Sequence, residues 1–242
     1  MLNKLGGHTR YYSPEEFSRF NVASDGEQTG ILLASVKSQI LPSNIGYISI
    51  ELFTKQTPNE VIEHLNNLTQ EHHITNLILD LRNNLGGILD ASVEVANLFL
   101  DKGVIYSSKG KSIDSNRKVK AENSAPYKNM KILIIINQDS ASSSEILAGA
   151  LQDNKRAIIL GENSYGKGTI QTVFSLRNGS AIKITTSEYF TPNGHKIQAT
   201  GIIPDIKFNT EGLSNRLDIP IFDDLQMYQA YLQLVTKIKS SK

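Results

Sequence analysis

The apolar positions of the chain change their period along its length. Ile45-Gly46-Tyr47-Ile48-Ser49-Ile50 alternates in the manner of a strand. Pro58 then opens a stretch to His72 in which Val61, Ile62, Leu65 and Leu68 recur at helical spacing. Leu77-Ile78-Leu79-Asp80-Leu81 reads as a buried strand, Asn83 to Gly87 as a turn, and Ile88 to Leu100 as a helix. The run Lys131 to Asn137, KILIIIN, predicts a central strand, Ser142 to Gln152 a helix, and Ala157 to Leu160 another strand. Two β-branched stretches, Thr169 to Leu176 and Ala181 to Tyr189, flank Arg177-Asn178-Gly179 and predict a hairpin. Asp223 to Lys239 predicts an amphipathic helix. The polar, irregular segment Lys109 to Tyr127 predicts a mobile loop near the working face. Strand–helix alternation through the middle argues an α/β core.

Composition narrows the partners. Charged residues make up 20% of the 242 and the net charge is +1, so there is no electrostatic case for nucleic acid or an anionic membrane. The chain has no cysteine, which excludes disulfides and thiolate metal sites and leaves the redox compartment open. It has no apolar run long enough to span a bilayer. The opening MLNKLGGHTRYYSPEEF lacks the apolar core of a signal peptide. The expectation is a cytoplasmic protein, or one whose leader or anchor has been trimmed and whose membrane association, if any, ran through it.

Two stretches carry candidate chemistry. The first, GENSYGKGTIQ from Gly161 to Gln171, has the outline of a phosphate loop, G-x-x-x-x-G-K. That reading fails twice: Gly168 stands where a Mg²⁺-binding Ser or Thr belongs, and a strand follows where a helix should. A solvated hairpin lysine remains open for Lys167. The second, Asp139-Ser140-Ala141-Ser142-Ser143-Ser144-Glu145, lies between a buried strand and a helix. Ser142-x-x-Glu145 fits a helix capping box. A strand-to-helix turn is equally where a nucleophilic serine is presented, with the next N–H free for an oxyanion. No Asp–His pair stands nearby in sequence, but lysine is an established alternative base.

These residues carry a resemblance. SASSSEILAGALQDNKRAIILGENSYGKGTIQ closely resembles the active-site segment of the C-terminal processing, or tail-specific, serine proteases. LILDLRNNLGG looks like that family's D-L-R-N-N-P-G-G turn, and TPNGHKIQATGIIPD like its T-P-x-G…G-I-x-P-D ending. The likeness runs from about Gly46 to Asp205. It implies a crotonase/ClpP-like ββα core within the α/β class, peptide-bond hydrolysis, a peptide or unfolded-protein substrate, and no cofactor or metal. It implies Ser142 as nucleophile, Lys167, 25 positions later, as general base, and Gln171 as the residue that orients the lysine. It places the oxyanion between the N–H of Ser143 and one from Gly86-Gly87, with Gly87 the better fit. Glu145, Asp153 and Ser164 fall at positions that support activity in the family; a cap or salt bridge explains each as well. Arg82 reads as structural. A lysine acts as base only when neutral, and an ordinary lysine titrates near 10.4, so this role calls for burial away from carboxylates.

The departures qualify the resemblance. Family members usually carry a peptide-binding PDZ module between an S-P-E-E-F-like motif and the core. Here Ser13 to Phe17 stands too close before Gly46 for one to fit. The expected division is an N-terminal extension, residues 1–45, and a protease core, residues 46–242, ending in the helix. Leu85 replaces the usual proline. This PDZ-less form is similar to the nisin-resistance type, in which a G-G-x-H or G-G-H histidine is linked to the serine. Gly6-Gly7-His8 resembles that, so His8 is either a second base or a structural residue. Family members work mostly outside the cytoplasm, which the resemblance extends to this chain. A non-catalytic peptide-binding module of the same fold, expected to have lost the Ser142–Lys167 pair, and an acyl-CoA enzyme with a crotonase-like core are the alternatives.

Overall fold

The computed structural model describes residues 9–24, 35–110, 115–122, 124–208 and 224–239. In chain order the elements are β1 (Arg10–Tyr12), α1 (Pro14–Ser24), β2 (Val36–Leu41), β3 (Ile45–Ile50), α2 (Thr57–His72), β4 (Asn76–Asp80), α3 (Leu89–Asn97), β5 (Val104–Gly110), β6 (Arg117–Lys120), β7 (Lys131–Ile136), α4 (Ser143–Asp153), β8 (Ala157–Gly161), β9 (Thr169–Ser175), β10 (Ala181–Phe190), β11 (Ile206–Lys207) and α5 (Leu225–Lys239).

The strands form two sheets. The larger has the order β11-β8-β7-β4-β3-β2 and is parallel except at β2, which runs antiparallel to β3. Its inner strands β3, β4, β7 and β8 are mainly apolar because both faces are covered, whereas the edge strand β2 carries exposed polar positions. Ile132, Ile134 and Ile136 of β7 point into a core shared with α2, α3 and α4, while Leu133 and Ile135 point to the other face, where Met227, Ala230 and Leu234 of α5 close over them. The second sheet is β1-β10-β5-β6, with β9 also on β10. The turn residues Glu162 to Gly168 carry the chain from the end of β8 in the first sheet to β9 in the second.

Most of the expected elements are present, and the hairpin turns where expected. Two differences have physical reasons. Lys109 to Tyr127 is not one irregular loop: β5 continues to Gly110 and pairs antiparallel with β6. Its Arg-Lys-Val-Lys sequence hides the strand because three of the four side chains are exposed. Helix α3 stops at Asn97, and Leu98, Phe99 and Leu100 turn tightly through bonds such as Phe99 N–H to Ala96 O (3.0 Å). They are buried in a turn, so their apolar character did not mark helix. Ahead of Gly46, β1 pairs into the second sheet and β2 into the larger one. Ser13-x-x-Glu16 opens α1 as a capping box, with Ser13 N–H on Glu16 Oε2 (2.9 Å) and Glu16 N–H on Ser13 Oγ (3.2 Å).

Arg82 fastens α5 to the sheet. Its guanidinium reaches Asp80 at 2.6 Å and Asp224 at 2.7 Å, and Tyr47 donates to the same Asp80 oxygen at 3.0 Å. Burial alone pulls the Arg82 pKa down; the charge and hydrogen bonds of Asp80, then of Asp224, overcome it and hold the side chain cationic. Removing one partner of a buried pair leaves the other uncompensated. Arg82→Ala is expected to lower the unfolding free energy by about 3–5 kcal/mol, and Asp224→Asn, at the more exposed end, by less. Urea denaturation followed by circular dichroism measures both; an Arg82→Ala midpoint equal to wild type would show that the pair does not fasten the helix.

Candidate active site

Three turns meet at the carboxyl ends of β4, β7 and β8, the edge where open parallel sheets hold their ligands. Asn83 donates its N–H to Asn137 Oδ1 (2.9 Å) and receives the Asn137 amide in return (2.8 Å). The carbonyl of Asn84 accepts the Ala141 N–H (2.9 Å) and the Ser144 hydroxyl (3.0 Å). The Tyr165 N–H reaches Ser140 O (3.0 Å). The turns therefore hold one another by main-chain bonds, and Asn84 is fully buried between them.

Ser142 sits at the head of α4 with φ 56° and ψ −112°. That backbone is sparsely populated for a residue with a side chain and costs on the order of 1–3 kcal/mol. Gly86 presses against it: a Cβ there would lie 2.7 Å from Ser142 Cβ and 2.8 Å from Ala141 O. Gly87 is equally confined, since its Cβ would stand 2.1 Å from Phe53 O. Both glycines have positive φ, 104° and 136°. Their N–H groups differ. That of Gly86 is spent on Asn84 Oδ1 (2.8 Å). Those of Gly87 and Ser143 donate to no protein acceptor among the described residues. Two spare donors thus flank Ser142, one of them at a helix N-terminus, where the dipole favours negative charge.

The carboxylate of Glu145 joins this turn to the next. It is fully buried. Its Oε2 accepts the N–H of Ser142 (2.8 Å) and the N–H of Lys167 (2.9 Å). Its Oε1 accepts the Ser164 hydroxyl (2.5 Å) and the Gly166 N–H (2.6 Å). Because one oxygen serves both, the backbones of Ser142 and Lys167 lie within two hydrogen-bond lengths of each other. Burial pushes the Glu145 pKa up; the four donors oppose it without cancelling it.

Lys167 owes its place to the glycines beside it. Gly166 takes φ 86° and accepts the Ala199 N–H (2.9 Å), and a Cβ on Gly168 would stand 2.2 Å from Gln198 N. The Gly168 N–H is held by Gln198 Oε1 (2.9 Å). The Lys167 side chain is half-buried and makes no ion pair among the described residues. Tyr189 clamps the same turn twice: its N–H donates to Gly168 O (2.9 Å) and its phenol to Lys167 O. The phenol also lies against the Ser142 hydroxyl; its pKa is raised by burial, then by the Glu145 charge. Lys167 and Gln171 line a cavity of about 530 Å³ that also touches Leu85 and Ala141, the neighbours of Gly86 and Ser142.

The expected site residues fall into three groups. Ser142, Ser143, Gly86, Gly87, Glu145, Ser164, Lys167 and Gln171 are brought to this edge. Asp153 is not, being at the far end of α4, about 16 Å along the helix axis; it accepts the Asn193 N–H (2.8 Å) and holds the turn after β10. His8 lies outside the described residues. Tyr189, Asn84 and Gln198 were not singled out from the sequence. Tyr189 looked like one more aromatic at a strand end, and only the paired strands show what its hydroxyl reaches.

Glu145→Gln would set an amide N–H₂ against two of the four donors. The two turns lose part of their common acceptor, so the unfolding free energy is expected to fall by about 1–3 kcal/mol. Because the folded-state pKa is raised, the native protein binds the proton more tightly than the unfolded chain. The Glu145 contribution to stability is therefore present at low pH and is lost as pH rises above the ordinary carboxylate range. Thermal melts of wild type and Glu145→Gln should differ in this slope; parallel profiles would refute a raised Glu145. Tyr189→Phe keeps the packing and removes one donor, and should lower the unfolding free energy by about 0.5–1.5 kcal/mol. Urea denaturation measures the change; a midpoint equal to wild type would show that the phenol does not hold the turn.

Comparison with known proteins agrees with the geometry. The family model described as peptidase family S41 matches residues 44–208. The chain is 39% identical over 194 residues to a carboxyl-terminal-processing protease of Picosynechococcus sp., covering 80% of this chain and 45% of that one. It is 38% identical over 179 residues to a carboxy-terminal-processing protease of Bartonella bacilliformis, covering 73% and 41%. It thus spans less than half the length of these curated relatives. Among solved structures, a photosystem II D1 C-terminal processing protease superposes with a TM-score of 0.68 at 30% identity, covering 78% of this chain and 52% of that one. A lipoprotein from Streptococcus agalactiae shares the fold at 21% identity, with a TM-score of 0.69 over 94% of this chain and 76% of that one. On the matched span and these identities, the chain belongs to peptidase family S41.

Proposed function

We propose that this chain is a serine peptidase that hydrolyses bonds near the carboxyl end of peptides or unfolded proteins, with Ser142 as nucleophile and Lys167 as its base. The observation that carries the reading is the buried Glu145 Oε2, which accepts the main-chain N–H of both residues. That carboxylate is occupied by main-chain and hydroxyl donors, so it does not pair with the lysine side chain. In the reaction, Ser142 Oγ bonds to the scissile carbonyl carbon while Lys167 Nζ takes the hydroxyl proton. The carbonyl oxygen becomes an oxyanion facing the spare N–H groups of Gly87 and Ser143. On collapse, the C–N bond breaks and Lys167 returns the proton to the leaving amine. Water then repeats the sequence on the acyl-serine ester and releases the new carboxyl end. Gln171 lines the same cavity and orients the lysine.

No described helix is long and apolar enough to cross a membrane. By family resemblance the enzyme works outside the cytoplasm.

Mass spectrometry of peptide digests tests the assignment. Ser142→Ala should release no product while remaining folded, and Ser144→Ala should keep most of the activity. Lys167→Ala should cost about 10²–10⁴-fold, the usual loss of a general base, and Lys167→Arg should not restore it, because a guanidinium does not give up its proton. His8→Ala should be close to wild type. Near-normal turnover by Ser142→Ala overturns the proposal. An inactive His8→Ala beside an active Lys167→Ala makes this a Ser–His hydrolase.

A further inference from the structure

The second sheet turns a basic wall toward the cavity, and the hydrolytic steps leave its Arg10 and Lys183 unused. On one side of β10, Arg10 stands opposite Lys183 and Tyr12 opposite Ala181. On the other side, Val173 stands opposite Lys183 and Gln171 opposite Thr185. Side chains alternate along strands, so Arg10, Tyr12, Lys183 and Gln171 leave the sheet on one face. All four line the cavity beside Lys167. Arg10 and Lys183 join Lys167 in the lining, and no lining residue is a carboxylate.

The wall is held in shape. The Arg10 guanidinium stacks 4.9 Å over the Tyr12 ring and meets Glu16 at 3.3 Å on its exposed side. Burial, then the charges of Lys167 and Arg10, hold the Lys183 ammonium below the usual lysine range. An anion that entered here would relieve this repulsion. The opposite rim is apolar: Leu85 and Tyr165 are each 65% exposed.

We propose that Arg10 and Lys183 form an anion subsite of the cleft that takes a carboxylate of the bound peptide, with an apolar residue of the same peptide on Leu85 and Tyr165. The inference rests on the peptidase reading and names what the cleft recognises. The guanidinium fork suits a carboxylate's two oxygens, and a lysine adds a second point of charge. Two sources share this chemistry: the free chain end and an Asp or Glu side chain.

The test uses three matched fluorescent peptides with an apolar penultimate residue: a free acid, its amide, and the amide with an internal aspartate. Binding is read by anisotropy on Ser142→Ala protein, which needs no turnover, and hydrolysis is read on wild type. The free acid is expected to bind about tenfold more tightly than the amide, the worth of one charge-assisted hydrogen bond. Arg10→Gln with Lys183→Gln should bring the two to parity. Lys196→Gln, in an exposed pair with Glu188 away from the cavity, should keep the preference. If aspartate restores tight binding to the amide, the side chain is a source; if it does not, the chain end is. Both outcomes support the subsite. Equal binding of all three peptides, or a preference untouched by the double substitution, overturns it. A preserved preference without hydrolysis would count against the dyad alone.

Discussion

A fully buried carboxylate with four donors around it organises this molecule's chemistry. Glu145 lies inside the first turn of α4, yet three of the four groups it holds, from Ser164, Gly166 and Lys167, belong to the turn after β8. An ionised group without water is expensive, and each donor that stays in place offsets part of that cost. The four bonds are therefore coupled: a turn that drifts away deprives the carboxylate of a partner. The same force that keeps Glu145 solvated by protein keeps Ser142 and Lys167 in register.

Close approach of backbone completes the arrangement. Gly86 stands against Ser142, Gly87 against Phe53, and Gly168 against Gln198, each too near for a Cβ. The strained backbone of Ser142 persists because Asn84, Ser140 and Asn137 fix the turns on either side of it. The site is thus assembled from three loops by hydrogen bonds, and the two cores packed on opposite faces of the larger sheet supply the rigid base.

Much of this was legible in the chain. KILIIIN could hardly be anything but a doubly covered strand, and Asn178-Gly179 marked the hairpin. Ser142, Lys167 and the glycine pairs stood out because they are unusual residues in short punctuated turns. What stayed hidden depends on contacts distant in sequence. Strand β6 was masked by its exposed basic side chains. Glu145 could be read as a cap, which it is, but its hold on Lys167 follows only from the crossover that brings β8 beside β7. Arg10 and Lys183 carry no local signal at all; strand pairing alone makes them neighbours.

The two spare donors beside Ser142 are main-chain groups, and this shapes how the protein tolerates genetic change. At position 143, which is buried, another small residue would bring the same N–H, so the donor survives a change such as Ser143→Ala even though the hydroxyl bond to Gly87 O is lost. At position 87 the donor is just as generic, but the carbonyl of Phe53 bars any side chain. Inherited damage to this centre should therefore concentrate at its glycines, Gly86, Gly87 and Gly168, where a single added methyl group displaces the loop and leaves every polar side chain in place.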